Sequence, residues 1–293
     1  MTRLRGSWTA TAAVTLFLLS ACAQTDVAGS PGESASPSAS GDSSAPASAD
    51  EFVLRVEQGG GIAGNRGQAT KLPQVSVYAD GRVITVGPTT AIYPGPALPN
   101  LQVQLAPPAT VDELVAQGKA LAGAGDLGRP AVADGTTTTI TVQGRKIVVY
   151  ALHEAQPSDP SLTAAQQQAR RKVLAFAEQL TELPTAAGMP PAQSYAPQSL
   201  AAIAQPWTKP TQDLVSTPPV VSWIGPALPG EVVEGGNQQG CVTVTGADAA
   251  KLLTAAKTAN QNTPWKSGKD TWRVTFRPLL PDESGCADLR ATR

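Results

Sequence analysis

The stretch VSVYADGRVITV, residues 75–86, indicates the fold class of this chain most clearly. Two β-rich runs flank Asp80-Gly81, and Asp-Gly between such runs is the strongest short-range signal of a β-hairpin. A second hairpin is predicted to turn at Gln143-Gly144, between runs at 138–142 and 146–152. Further strands are predicted at 52–56, 101–105, 200–204, 220–224, 241–245 and 271–277. The chain is therefore predicted to be rich in antiparallel sheet.

Three segments have the apolar period that is typical of a helix. The longest, 163–183, has a continuous apolar stripe, and Arg170 beside that stripe is predicted to face solvent. A shorter helix is predicted to begin at a capping box formed by Thr110 and Glu113. The third covers residues 247–259.

The sequence Gly-Pro-Ala-Leu-Pro occurs twice, at 95–99 and at 225–229. Each copy is preceded by a predicted strand and followed by a strand, a helix and another strand, which favours an internal duplication. Chance identity in a chain rich in Pro and Ala is the alternative. We predict an α+β fold of two related modules, each a mainly antiparallel sheet with a packed helix. The first module covers 51–183, and 184–293 contains a linker and the second module.

The first 21 residues have the pattern of a bacterial signal peptide. Arg3 and Arg5 precede an apolar stretch that is shorter than the about 20 residues a membrane span needs. The stretch ends in Leu19-Ser20-Ala21-Cys22, which resembles the lipobox of bacterial lipoproteins. This resemblance implies cleavage before Cys22 and attachment of diacylglycerol to its thiol. An ordinary secretory signal with a chance cysteine is the alternative.

Residues 22–50 are predicted to form a disordered tether behind the lipidated cysteine. They are almost entirely small and polar, so they cannot bury enough apolar surface to offset the entropy of ordering. The folded part would then lie outside the cytoplasmic membrane, anchored by the lipid on Cys22.

The charge balance disfavours a nucleic-acid partner. Without residues 1–21, which hold two basic residues and no acidic one, 20 Lys+Arg face 23 Asp+Glu, a net charge of about −3. Nucleic-acid binders are usually basic.

Cys241 and Cys286 are the only cysteines after Cys22. An even pair in an exported protein favours a disulfide. The rival interpretation is a pair of thiols at a metal or redox site, but the chain has no Cys-x-x-Cys motif and one distant histidine.

Candidate catalytic and cofactor motifs are weak. His153 could act with Glu154 or Asp159 in a hydrolase, but the chain has no Gly-x-Ser-x-Gly motif, and a lone histidine is more often a surface residue. The glycines at 59–64 match Gly-x-Gly-x-x-Gly but precede no helical pattern, so we interpret them as a loop. No cofactor or metal is predicted, and calcium at Asp282-Glu283 has no further support.

The second half of the chain holds the candidate binding residues. Its four tryptophans could stack on a sugar or fill the core. Arg273 and Arg277 lie on the face of a predicted strand opposite Trp272, and they could meet an anionic glycan or a partner, or face solvent. The four tryptophans are Trp207, Trp223, Trp265 and Trp272.

Two stretches of the chain, 75–99 and 241–286, resemble a family of uncharacterised secreted or lipid-anchored actinobacterial proteins. The first includes SVYADGRVIT and YPGPALPNL, and the second includes TPW and FRPLLPDE. The resemblance covers most of 51–293. It implies an envelope location and pairing of Cys241 with Cys286, and it implies no activity.

These observations favour a membrane-tethered, non-enzymatic binding or interaction protein of the envelope, whose partner is an unknown protein or glycan. The alternatives are an envelope hydrolase that uses His153 and a solute-capture lipoprotein of a transporter. Solute-capture proteins usually have two lobes of alternating strands and helices, and this chain has too few predicted helices for that architecture.

Overall fold

The computed structural model describes residues 48–62, 67–123, 125–210, 218–232 and 239–289. The predicted signal peptide, Cys22 and nearly all of the predicted tether lie outside these residues. Within them, the chain forms two sheets, of seven and six strands, and three α-helices. The predicted α+β fold of mainly antiparallel sheets with packed helices is confirmed.

The first sheet is antiparallel throughout and has the strand order β6-β5-β1-β2-β3-β4-β7. Both predicted hairpins are confirmed. Gly81 has a φ of +89°, and a Cβ there would lie 2.9 Å from the Ala106 carbonyl oxygen, so the turn requires glycine. The strands are β1 (Phe52–Gly60), β2 (Val75–Tyr78), β3 (Arg82–Val86), β4 (Leu101–Leu105), β5 (Thr136–Val142), β6 (Arg145–Tyr150) and β7 (Gln193–Ser194).

Two helices, α1 (Pro108–Leu121) and α2 (Ala164–Glu182), pack against this sheet. The helices approach the sheet closely at Gly118, where a Cβ would lie 2.7 Å from Val142 Cγ2 and 3.1 Å from Phe176 Cζ. Close packing, and not helix propensity, therefore explains why a glycine occupies position 118 inside α1.

Two predictions about these helices are wrong. The predicted capping box at Thr110 lies inside the first turn of α1, because the helix already begins at Pro108 with Pro107 as its N-cap. Arg170 does not face solvent, since its side chain is buried and donates to the carbonyl oxygens of Tyr150 (2.9 Å) and Ala151 (2.6 Å).

The second sheet has the order β10-β11-β8-β13-β12-β9 and is antiparallel except between β12 and β9. Helix α3 (Gly246–Ala256) covers one face of this sheet. Trp265 packs in the same cluster, where it is fully buried and contacts Trp223 edge to face. This face is the second core, so the core interpretation holds for Trp265. The strands are β8 (Ser199–Pro206), β9 (Val221–Ser222), β10 (Glu231–Val232), β11 (Gly240–Thr245), β12 (Pro264–Ser267) and β13 (Asp270–Pro278).

The structure does not confirm the duplication. In the first sheet the strand before α1, β4, lies three places from β1, whereas in the second sheet the strand before α3, β11, pairs directly with β8. Contacts also cross the predicted module boundary, because β7 extends the first sheet and Ala97 packs into the second core.

A disulfide joins Cys241 in β11 to Cys286, which follows β13 by eight residues. The two Cα atoms lie 6.0 Å apart, within the usual range for a disulfide. The bridge therefore fastens the segment after β13 to the face of the second sheet that α3 does not cover, where Ala201, Ile203 and Leu279 pack around it.

Candidate functional site

A turn at Pro281, Asp282 and Glu283, here called the acidic turn, connects the two sheets. Arg55 of β1 donates to both Asp282 carboxylate oxygens, at 2.9 and 2.6 Å, and to the Tyr78 hydroxyl at 3.2 Å. The Tyr78 hydroxyl donates to the same carboxylate at 2.7 Å. Burial raises the pKa of Tyr78, so the phenol stays protonated and keeps this role as a donor.

The other acid of the turn pairs with the second sheet. Arg277 of β13 donates to both Glu283 carboxylate oxygens at 2.6 Å, and also to the backbone carbonyls of Lys71 and Pro278. Its side chain is 2 % exposed, so the predictions that it faces solvent or meets a glycan or partner are wrong. Neither acid is available for the calcium site considered above, because a guanidinium already occupies each carboxylate.

A cleft of about 660 Å³ opens beside this junction, along the same face of β13. One wall is the segment at 89–99, a second is the 3₁₀ turn near Thr70, and the floor comes from β8 and β13. Its lining is mostly hydroxyl, amide and proline side chains. The polar lining residues are Thr70, Thr89, Thr90, Tyr93, Gln205, Gln261, Asn262, Arg273 and Thr275.

The wall at 89–99 is held in place by the turn that follows α3. The Gln261 N–H donates to the Gly95 carbonyl at 2.9 Å, and the Ala97 N–H donates to the Ala259 carbonyl at 3.2 Å. Beyond these bonds Ile92 and Tyr93 stand out at the rim, 60 % and 63 % exposed. The first Gly-Pro-Ala-Leu-Pro copy therefore forms part of a cleft wall as well as a structural corner.

Arg273 is the single charged residue among the described residues that line the cleft. It lies directly across from Gln205 in the β8–β13 ladder. Its Nε is buried and has no hydrogen-bond partner among the described residues. None of the ion pairs among the described residues involves Arg273, so an anionic group that enters the cleft could form a charge-assisted pair with it.

The structure does not bring His153 to this cleft. His153 lies exposed in the turn after β6. Its neighbour Glu154 accepts from the backbone N–H (2.9 Å) and hydroxyl (2.6 Å) of Thr136. Asp159 accepts from Ser161, whose hydroxyl holds the pKa of that carboxyl below its usual value. The two acids are thus bonded to other groups, and the hydrolase hypothesis stays a prediction.

The other candidate sites give little chemistry. Gly59 and Gly60 end β1, while residues 63–66 of the glycine motif lie outside the described residues. In the described part of the chain, no group of three His, Cys, Asp or Glu residues could hold a metal ion.

Sequence reasoning identified Arg273 but missed Gln205, Gln261 and Asn262. Gln261-Asn262 was detectable as an amide pair between the end of a predicted helix and a Trp-containing strand. Its place opposite the segment at 89–99 depends on contacts more than 160 residues apart, such as Asn262 Nδ2 to the Tyr93 hydroxyl at 3.4 Å.

Comparison with protein-family models, curated proteins and solved structures found no match. Among the described residues, no helix combines the length and the apolar composition that crossing a bilayer would require.

Proposed function

We propose that this chain is a lipid-anchored envelope protein that binds a polar ligand in the cleft beside Arg273 and does not transform it. The observation that carries the proposal is Arg273 itself, a partly buried cation in the cleft lining that no described carboxylate pairs with. Ligand sites are typically concave, with a few polar groups placed to orient the ligand.

The composition of the lining supports binding over catalysis. Among the described residues, the cleft contains no aspartate, glutamate, histidine, serine or cysteine. General acid–base and nucleophilic catalysis at neutral pH usually use these side chains. The amides and threonine hydroxyls can instead donate and accept hydrogen bonds with a polar ligand.

Filling the cleft tests its role. Thr275 is exposed on the cleft floor, so Thr275→Trp is expected to fold and to block the space. The matched control is Thr254→Trp, on the exposed surface of α3 and outside the cleft lining. The full-length protein in nonionic detergent would be screened on an array of cell-envelope glycan fragments. We expect Thr275→Trp to weaken every interaction at least about tenfold and the control to leave them unchanged. Equal binding by wild type and Thr275→Trp would remove the cleft from the proposal.

The proposed anchor rests on the lipobox-like sequence that ends at Cys22. In a bacterial host, wild type is expected to incorporate labelled palmitate and to sediment with membranes, whereas Cys22→Ala is expected to do neither. Labelling that persists in Cys22→Ala would contradict lipidation at this residue. Crosslinking in native membranes, with the two forms compared, would then identify any partner that depends on the anchor.

A further inference from the structure

We infer that the ligand is an acidic saccharide whose carboxylate pairs with Arg273. This inference rests on the proposed function, because it assumes that the cleft binds a ligand. It adds the chemical class of that ligand and the residue that recognises it.

The first argument comes from the two other arginines at the junction of the sheets. Arg55 and Arg277 each donate through two nitrogens to the two oxygens of one carboxylate. Arg273 is the third arginine on these strands, and none of the described residues provides it with a carboxylate. A carboxylate from outside would give Arg273 the pairing that the other two already have.

The second argument is positional. Arg273 and Arg277 lie on the same face of β13 with Thr275 between them, and four residues of strand span about 13 Å. Glu283 is held at the Arg277 end by two guanidinium nitrogens and by the Leu280 N–H at 2.7 Å. It therefore cannot serve both arginines, and the Arg273 end faces the open cleft.

The third argument favours a sugar as the carrier of the charge. Gln205, which lies across from Arg273, and Gln261 and Asn262 line the same cleft with amide groups that donate and accept, as sugar hydroxyls also do. The exposed ring of Tyr93 at the rim offers an apolar face with a polar tip. Arg273 is thus one cation among neutral polar groups, and this arrangement suits a sugar that carries one carboxylate and several hydroxyls.

The test compares a trisaccharide of galacturonic acid with its fully methyl-esterified form, which has the same ring shape without the charge. Binding to the full-length protein in nonionic detergent would be measured by calorimetry. Tryptophan fluorescence is a second readout, because the Trp207 indole N–H donates to the Asn262 carbonyl at 3.0 Å. We expect the acid to bind about tenfold to a hundredfold more tightly than the ester, as one charge-assisted pairing implies.

Two variants assign this preference to Arg273. Arg273→Gln is expected to bind acid and ester equally, and Arg273→Lys to keep part of the preference, because lysine retains the charge without the paired donors. The urea midpoint of Arg273→Gln without ligand is expected to be no lower than that of wild type, since the described residues give Arg273 no ion pair and its buried Nε no hydrogen bond to lose. A lowered midpoint would indicate a structural role and overturn the inference.

The remaining outcomes separate this inference from the proposed function. Equal binding of acid and ester by wild type overturns the inference that a carboxylate is recognised. If Thr275→Trp then binds neither trisaccharide, the proposal of a binding cleft is still supported. If triglutamate binds more tightly than the acidic trisaccharide and loses this binding in Arg273→Gln, the inference that the ligand is a saccharide is overturned. Failure of both trisaccharides to bind also overturns it, and the glycan array with Thr275→Trp then decides the proposed function alone.

Discussion

Replacing Glu283 by glutamine removes the charge of the acidic turn's pair with Arg277 and keeps its shape. The side chains of Arg277 and Glu283 are 2 % and 9 % exposed, so solvent cannot take the place of the lost carboxylate. Breaking a buried pair by removing one partner costs about 3–5 kcal/mol. Arg277 keeps two backbone carbonyl acceptors, and the glutamine oxygen can still accept from the Leu280 N–H. We therefore expect a loss of about 3 kcal/mol in the free energy of unfolding.

The assay is urea unfolding of the full-length protein with the disulfide intact, followed by tryptophan fluorescence at pH 7. Asp80→Asn is the matched control, because Asp80 pairs with Arg82 near the surface, with side chains 33 % and 28 % exposed. It is expected to cost less than about 1 kcal/mol.

A double-mutant cycle gives the decisive comparison. Arg277→Met alone leaves Glu283 buried without its partner, whereas the double variant leaves no unpaired charge. The double variant is expected to lose at least about 1 kcal/mol less than the sum of the two single losses. Strictly additive losses would refute the reasoning that the two side chains stabilise the fold as a pair.

Three further predictions concern other parts of the fold. Replacing Cys241 and Cys286 by serine opens a loop with a sequence separation of 45 and is expected to cost about 4 kcal/mol in unfolding free energy; an unchanged urea midpoint would contradict this. Gly118→Ala is expected to cost about 1–3 kcal/mol through its clash with Val142, whereas Gly123→Ala, with open space around its Cβ, should be nearly neutral, and the two midpoints compared directly decide. Burial raises the pKa of Tyr195 to about 12, above its value of about 10 in the unfolded chain. The folded state therefore holds this proton more tightly, and stability should fall as pH rises from about 10 to 12. This fall should be smaller in Tyr195→Phe, and an identical alkaline profile would contradict the role of that phenol.

The elements of this fold were predictable where local sequence decides them. The hairpins depend on short turns that end in glycine, three residues long before β3 and two before β6. Helix α2 has Thr163 as its N-cap, with a capping box completed by Gln166. The start of α1 was not predicted correctly, because proline at the first helical position outweighed the Thr110 signal.

Buried polar residues were the main limit of sequence reasoning. Strand alternation places Arg277 on the face opposite Phe276 and helix period places Arg170 beside a stripe, but neither pattern tells whether that side meets water or another layer. The answer depends on contacts such as that of Arg277 Nε with the Lys71 carbonyl oxygen, which are 206 residues apart. The cleft had the same limit, since its lining comes from five separate segments of the chain and Arg273 is the only lining residue that the sequence marked as a binding candidate.

The acidic turn also has a consequence for the order in which the molecule is made. Arg55 leaves the ribosome 227 residues before its counter-ion, an interval of roughly 10 to 45 seconds at 5–20 residues per second. Until then the arginine on β1 has no carboxylate to neutralise it, and Arg277 lacks Glu283 until six more residues follow. The ion pairs that the acidic turn makes with the two sheets are thus among the last contacts that become possible during biosynthesis. A nascent chain that stops before residue 282 leaves Arg55 of β1, near the beginning of the fold, without its counter-ion.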